Sequence, residues 1–458
     1  MKRRSILKHS LALATAASLP RMSLAMASPA DDFDYILTAE TGRENLLGDA
    51  PTDILGFNGQ FPAPVLRVKQ GKRLRLRFDN KLEQASTIHW HGIRIDNAMD
   101  GVPMLSQKPV EPGESFVYDF VCPDAGTFWY HPHIHSIRQL GMGMVGALIV
   151  EEPDAPPYHE VIIGLKDWRL KPDGSYLPLS IPREAFRDGT LGTVNTVNGQ
   201  QHPVIDVPAG AALRLRILNM DNTRVFRPEV SGHETRILSL DGSPVIPHRP
   251  FELTPLGAGM RMDLAMYAPD RVGEEIPVYD KKGRFGVELC RLRVVENTRH
   301  TAPKTLPNLP ANPIATPDLD KAEILRFVFE WQGALSPTRA DGAVDHSFWL
   351  INRRAWDGGE GHHSLPEPLA KLTLGRSYIA ELHNATPHQH PIHLHGLIFT
   401  VLSSNKRSII PYHSDTILLE KNERARIAFV ADNPGDWMFH CHVIEHMKTG
   451  LMGYISIS

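Results

Sequence analysis

Residues 71–80 read Gly-Lys-Arg-Leu-Arg-Leu-Arg-Phe-Asp-Asn, with an apolar residue at every second position between a glycine and an asparagine. This period of two is typical of a β-strand with one buried face, because successive side chains of a strand point to opposite faces. The same arrangement returns in residues 210–219 and, more weakly, in residues 375–384, with the same spacing from glycine to asparagine. The chain therefore contains three copies of one β-rich unit.

The composition agrees with a β-rich chain of several domains. The 458 residues include 35 glycines and 37 prolines, which favour many turns over long helices. The three copies begin at Gly71, Gly210 and Gly375, and repeats of this spacing with short strands are typical of Greek-key folds. We expect an all-β protein of three consecutive Greek-key β-barrel or sandwich domains, at residues 28–153, 154–300 and 301–458.

The first 27 residues have the pattern of an export signal. A basic start with the pair Arg3-Arg4 precedes an apolar stretch at residues 11–19 and small residues at 25–27. The paired arginines resemble a twin-arginine (Tat) signal, which implies passage through the Tat export machinery as a folded protein. We therefore expect a periplasmic mature protein, and no later stretch reaches the roughly 18 apolar residues of a membrane span.

Charge argues against one class of partner. The 49 basic and 52 acidic residues leave a net charge of −3, without a long block of one sign. A nucleic-acid partner is therefore not expected. The sequence has no long apolar stripe that would indicate assembly, so we expect a monomer.

The three cysteines are too few to hold a chain of this length together by disulfides. A bond between Cys122 and Cys290 stays an open question. Cys441 is different, because it lies between two histidines.

Eleven of the 23 histidines fall into four short groups, which is difficult to explain by chance. The groups are His89 and His91; His131, His133 and His135; His390, His393 and His395; and His440, His442 and His446. In the sequence His440-Cys441-His442, the period of a strand places the sulfur on one face and both imidazoles on the other. One strand can therefore serve two metal centres. Thiolate with imidazole selects copper, zinc or iron, and a trigonal pair of histidines with one cysteine is the blue-copper pattern.

In order and spacing, the four groups resemble the copper-binding motifs of the multicopper oxidases, the family of laccases, ascorbate oxidase and bacterial copper-efflux oxidases. The resemblance implies three cupredoxin-like domains, four copper ions per chain and a second domain that is a spacer without ligands. It implies a type 1 copper at His390, Cys441 and His446, and a type 2 copper at His89 and His393. The implied ligands of the type 3 copper pair are His91, His131, His133, His395, His440 and His442.

The resemblance also implies roles beside the ligands. Cys441 would relay electrons through one peptide step to its flanking histidines, and Asp100 and Glu445 would feed protons to the cluster. The axial position of the type 1 copper, ten residues after the cysteine, is Leu451, with Met452 as the alternative if the register slips. A leucine there would raise the potential of the site. For His388, outside the ligand set, we expect ordinary surface solvation.

The expected activity is one-electron oxidation of a reducing substrate at type 1 copper, coupled to four-electron reduction of dioxygen to water at the other three. The substrate would be a phenol or aromatic amine, as in laccases, or a metal ion such as Cu(I) in copper tolerance. The absence of methionine between Met266 and Met438 favours the first. Two further alternatives, a copper-free structural scaffold and a copper nitrite reductase, are disfavoured because every ligand of the implied set is present.

Overall fold

A computed structural model describes residues 33–48, 50–282, 286–298, 302–332, 347–356 and 365–458. The predicted export signal at residues 1–27 lies outside the described residues. Within the described ranges, the helices are too short or too polar to cross a membrane.

The first domain is a sandwich of two four-stranded sheets, ordered β2-β1-β4-β6 and β3-β8-β7-β5. Its elements are β1 (Tyr35–Glu44), β2 (Thr52–Phe57), β3 (Leu66–Lys69), β4 (Arg73–Asn80), β5 (His89–His91), a 3₁₀ turn (Asn97–Met99), β6 (Ser115–Val121), β7 (Gly126–His131), α1 (Ser136–Gln139) and β8 (Gly146–Glu151).

The second domain pairs a six-stranded sheet, β10-β9-β12-β16-β14-β15, with a four-stranded sheet, β11-β18-β17-β13. Its elements are β9 (His159–Trp168), α2 (Pro182–Ala185), β10 (Val194–Val197), β11 (Val204–Pro208), β12 (Ala212–Asn219), β13 (Pro228–Val230), β14 (Arg236–Leu240), β15 (Ser243–Pro250), β16 (Arg261–Tyr267), β17 (Glu275–Asp280) and β18 (Val287–Val295).

The third domain pairs a six-stranded sheet, β20-β19-β22-β27-β24-β25, with a five-stranded sheet, β21-β29-β28-β23-β26. Its elements are β19 (Glu323–Trp331), β20 (Trp349–Ile351), β21 (Ala370–Leu372), β22 (Ser377–Asn384), β23 (His390–Leu394), β24 (Phe399–Ser404), β25 (Tyr412–Ser414), β26 (Thr416–Leu419), β27 (Arg424–Val430), β28 (Gly435–Cys441), α3 (Ile444–Lys448) and β29 (Met452–Ile457). The predicted all-β architecture of three sandwich domains is confirmed.

The three copies found in the sequence become one strand in each domain: β4, β12 and β22. Each lies parallel to the first strand of its domain, β1, β9 or β19. Each ends at an asparagine whose amide nitrogen donates to two backbone carbonyls and whose oxygen accepts from a backbone N–H two residues on. These asparagines are Asn80, Asn219 and Asn384. The repeated residue thus closes the same loop three times.

Apolar side chains are buried both within each domain and between the domains. Each has its own apolar centre between its sheets, and a further buried cluster joins Trp129 of the first domain, Trp168 of the second and Ile444 of the third. Cys122 and Cys290 lie buried in the cores of the first and second domains, and both are free thiols. Because they lie in the cores of different domains, these two cysteines do not form a disulfide bond with each other.

Candidate metal centre

Two strand pairs, one from each outer domain, carry the histidines. In the first domain, β5 pairs with β7 so that His89 lies opposite His131. In the third, β23 pairs with β28 so that His393 lies opposite His440 and Ile392 lies opposite Cys441. Directly opposed residues project to the same face of a sheet, so these registers place the imidazoles on one face and the thiol on the other.

The eight histidines predicted for the type 2 and type 3 coppers converge between the first and third domains. Within each of three groups, the candidate ligand atoms lie within 4.8 Å of one another. The groups are His89, His91 and His393; His91, His131 and His442; and His133, His395 and His440. All eight side chains are buried. Among the metal-ligand groups found in the described ranges, none contains a residue of the second domain.

The unpaired ring nitrogens of these histidines fit a metal cluster. Six of the eight rings have a buried nitrogen without a hydrogen-bond partner: His89, His91, His131, His133, His393 and His442. Several are anchored through the other nitrogen. The Nδ1 atom of His89 is 2.9 Å from the carbonyl oxygen of Asp100, and Nδ1 of His131 is 2.9 Å from that of Pro132. An anchored ring with a free second nitrogen is the usual state of a metal-binding histidine.

The remaining two rings, those of His395 and His440, also fit a metal cluster. The Nε2 atoms of His395 and His440 lie 3.0 Å apart. Each Nδ1 atom faces an acceptor, a carboxylate oxygen of Asp100 at 2.9 Å and the carbonyl oxygen of Cys441 at 2.8 Å, so each Nδ1 carries the proton. The two Nε2 atoms therefore direct lone pairs at each other, an arrangement that a cation between them stabilises.

Burial keeps six of the eight imidazoles neutral. Desolvation lowers the pKa of His91, His131, His133, His395, His440 and His442 well below the usual value, and neighbouring imidazoles add to the effect. A neutral imidazole is the form that binds a metal.

A separate site lies on the opposite face of β28. The Sγ atom of Cys441 is 3.5 Å from Nδ1 of His390 and 3.5 Å from Nδ1 of His446, and the two nitrogens are 3.1 Å apart. The Nε2 atom of His446 lies 2.8 Å from the carbonyl oxygen of Arg187. This contact fixes the proton on Nε2 and leaves Nδ1 for a metal. The ring of Trp349 packs at 4.3 Å from that of His446. Two imidazoles and one thiol fit a copper ion.

The structure separates the two candidates for the axial position. Met452 lies opposite His440 in the pairing of β28 with β29, so its side chain shares the face of that histidine. Leu451 belongs to the same buried cluster as Cys441, whereas Met452 packs against the cluster shared by the three domains. The arrangement favours Leu451 for the axial position, and its effect on the potential stays a prediction.

The two predicted proton donors occupy different surroundings. Asp100 is buried, and its carboxylate oxygens lie 2.9 Å from Nδ1 of His395 and 3.2 Å from Nδ1 of His89. Glu445 is buried too, but its carboxylate accepts hydrogen bonds from Ser180 and Thr190 of the second domain. The structure thus brings Asp100 into contact with the histidine cluster, and Glu445 into contact with the loop around α2.

Two other side chains were not predicted. Asp415, just before β26, has a carboxylate oxygen 3.3 Å from Nε2 of His91 and 3.3 Å from Nδ1 of His393. Arg261 of the second domain contacts that carboxylate. The one local signal was the polar run Ser414-Asp415-Thr416, whose last residue begins the buried strand β26.

Comparison with known proteins agrees with this geometry. Residues 38–155 and 329–458 each match a multicopper oxidase family model. A multicopper oxidase structure from Pseudomonas thermotolerans is 46% identical, covers 93% of this chain and 98% of its own, and superposes with a TM-score of 0.85. One from Pseudomonas parafulva is 47% identical, covers 92% and 99%, and has a TM-score of 0.82. A multicopper oxidase of Staphylococcus aureus is 25% identical over 93% of this chain and 88% of its own length.

The chain belongs to the multicopper oxidase family, and its three domains are cupredoxin-like. It is a copper-dependent oxidoreductase with dioxygen as the electron acceptor. Copper bound at these sites would supply one-electron oxidation of a donor beside Cys441 and reduction of dioxygen at the histidine cluster. The residues of this chain would hold the two centres on opposite faces of one strand, one peptide step apart.

Proposed function

We propose that the protein oxidises phenols or aromatic amines, and that the donor binds where the loop after α2 meets β19 and β20. The observation that carries the proposal is an aromatic and acidic surface beside His446. The ring centroid of Trp331 is 6.4 Å from that of Trp349, which itself packs on His446. Trp331 is 39% exposed, so an aromatic donor can stack close to the type 1 histidine.

An acceptor for the donor's hydroxyl or amino group lies next to this aromatic surface. The side chain of Asp188 is 76% exposed, and its carboxylate oxygen is 2.8 Å from Nδ1 of His388. That hydrogen bond lowers the pKa of Asp188, so the group is ionised at neutral pH. The expectation that His388 is simply solvated was wrong, because its side chain is only 12% exposed and contacts the rings of Trp331 and Trp349.

A cuprous-ion donor would require soft ligands. Within the described ranges, no group of three possible metal ligands includes Asp188 or His388. The sequence has no methionine between Met266 and Met438 to supply a thioether from β19 through β27. These features favour an organic donor.

Proton supply and export complete the proposal. Asp100, in contact with His89 and His395, would donate protons toward the cluster, and Glu445 would do so from the side of α3.

Residues 1–27 would direct Tat-dependent export to the periplasm. Replacement of both Arg3 and Arg4 by lysine, followed by cell fractionation, should retain the protein in the cytoplasm; undiminished export would contradict this part.

The donor is tested by comparing turnover of syringol and Cu(I) under air, with and without added Cu(II). We expect phenol oxidation without added copper, and Asp188→Asn to lower kcat/KM for the phenol about tenfold, chiefly through KM, the equivalent of one hydrogen bond to a charged acceptor. Asp206→Asn, which removes a partly exposed carboxylate paired with Arg293, is the matched control and should change little. Phenol turnover only with excess copper, or equal effects of the two variants, would contradict the proposal.

A further inference from the structure

A charged side chain of the second domain reaches the surroundings of the histidine cluster. Arg261, at the start of β16, is buried, and its guanidinium crosses to the third domain. Its Nη1 and Nη2 atoms lie 2.9 Å and 2.7 Å from the two carboxylate oxygens of Asp415. This is the two-pronged geometry in which a planar guanidinium fixes both the position and the orientation of a carboxylate.

Asp415 in turn touches one ligand from each outer domain. Its Oδ1 atom is 3.3 Å from Nε2 of His91 in β5 and 3.3 Å from Nδ1 of His393 in β23. Thr416 donates its hydroxyl proton to the same oxygen at 2.7 Å. The backbone carbonyl of Asp415 also lies 3.0 Å from Nδ1 of His393.

These contacts determine which nitrogen each ring can offer to copper. Nε2 of His91 and Nδ1 of His393 face the Asp415 carboxylate and the hydroxyl oxygen of Thr416, whose own proton goes to that carboxylate, so both acceptors require the proton to sit on these nitrogens. The opposite atoms, Nδ1 of His91 and Nε2 of His393, are buried and have no hydrogen-bond partner. His91 would therefore offer Nδ1 to copper and His393 would offer Nε2, although the two rings stack with centroids 3.8 Å apart.

We infer that Arg261 is a positioning residue for the trinuclear copper site: it orients Asp415, which fixes the tautomers and ring orientations of His91 and His393. Among the described residues, the second domain thus supplies no candidate ligand, but it sets the geometry of two.

Other residues are arranged to keep this ion pair in place. Asp241 accepts a hydrogen bond from the backbone N–H of Arg261 at 2.8 Å and one from the Ser414 hydroxyl at 2.6 Å. Gly92, directly after His91, has a φ of +88°, and a Cβ atom there would collide with the guanidinium of Arg261 and the carboxylate of Asp415. The glycine of the His-x-His-Gly motif thus provides the space for the ion pair.

The inference rests on the copper centres of the family and not on the organic donor proposed above. Its test uses copper-loaded protein and reads the metal directly. In Arg261→Gln we expect type 2 copper to bind about 10- to 100-fold more weakly in a chelator titration, as for other residues that support metal-binding histidines. Its EPR hyperfine pattern should change, while the blue type 1 absorption per chain is unaltered. Arg261→Lys keeps the charge without the fork and should give an intermediate result.

Arg214→Gln is the matched control. Arg214 is equally buried in the second domain and forms ion pairs with Glu152 and Asp263, so its loss destabilises the protein without reaching a histidine. Wild-type EPR and copper affinity in Arg261→Gln would overturn the inference, and so would an equal change in Arg214→Gln. If Arg261→Gln fails to fold, a parent-like type 2 signal in Arg261→Lys or in Arg261→Gln/Asp415→Asn would overturn it instead. Because no donor enters these measurements, they are independent of phenol turnover.

Discussion

Replacement of Asn384 by alanine tests how the repeated fold holds the type 1 site. Asn384 is fully buried at the end of β22. Its amide nitrogen donates to the carbonyl oxygens of His388 and Glu420 at 2.7 and 2.8 Å. Its oxygen accepts from the N–H and the hydroxyl of Thr386 at 3.0 and 2.8 Å. Four buried hydrogen bonds at about 1 kcal/mol each predict a loss of about 3–4 kcal/mol in the free energy of unfolding.

The same change should also alter the type 1 copper. Because the Thr386 hydroxyl donates to Asn384, it accepts from Nε2 of His390, 2.8 Å away, and leaves Nδ1 of that ring free to face Cys441. Without Asn384, the hydroxyl can turn and the ring loses its anchor. We therefore expect Asn384→Ala to shift or weaken the blue absorption band in addition to lowering stability.

The other copies of the repeat provide matched controls. Asn80→Ala and Asn219→Ala each remove three equivalent bonds, about 3 kcal/mol, but neither residue contacts a type 1 ligand through the loop that it closes. Guanidinium titration and the visible spectrum of the copper-loaded variants measure both effects. An unchanged band in Asn384→Ala, or an equal band change in Asn80→Ala, would show that Asn384 does not anchor His390.

Three other changes test separate parts of the structure. Leu451→Met places a thioether on the face of Cys441 and should lower the type 1 potential, whereas Met452→Leu should leave it unchanged; redox titration of the blue band decides, and the reverse order would mean the register is wrong. Burial disfavours the charge of Glu160, but Arg216, Arg67 and Arg214 together outweigh it and lower the pKa to about 2 from 4.5, so Glu160→Gln should cost about 3 kcal/mol at neutral pH. That difference should diminish as the pH falls from 4.5 to 2, and a difference independent of pH in acid unfolding curves would contradict it. Gly92→Ala should weaken type 2 copper binding, since Cβ collides with Arg261; parent-like copper content and EPR would show that the space is not required.

The residues that could be predicted from the sequence are those marked by a local period. Alternation in residues 71–80 predicted a strand with one buried face, and β4 indeed buries every second side chain. The grouping His440-Cys441-His442 predicted two centres on opposite faces, because a strand allows only two directions. Both inferences depend on neighbours in the chain.

Contacts between distant segments could not be predicted in this way. Arg261 and Asp415 are 154 residues apart and belong to different domains, and neither lies in a repeated motif. An arginine in a strand of alternating polarity is expected to face solvent, yet packing of the second domain against the third buries this one. Trp349 likewise meets His446 only through the fold of the third domain.

Copper content and EPR of the protein and of Cys441→Ser decide whether one strand serves two separate copper centres. We expect four coppers per parent chain. We expect three in the variant, which should lose the blue band and donor-driven oxygen consumption while its type 2 EPR signal persists. Two or fewer coppers in fully loaded parent protein, or unaltered oxygen consumption in Cys441→Ser, would contradict this expectation.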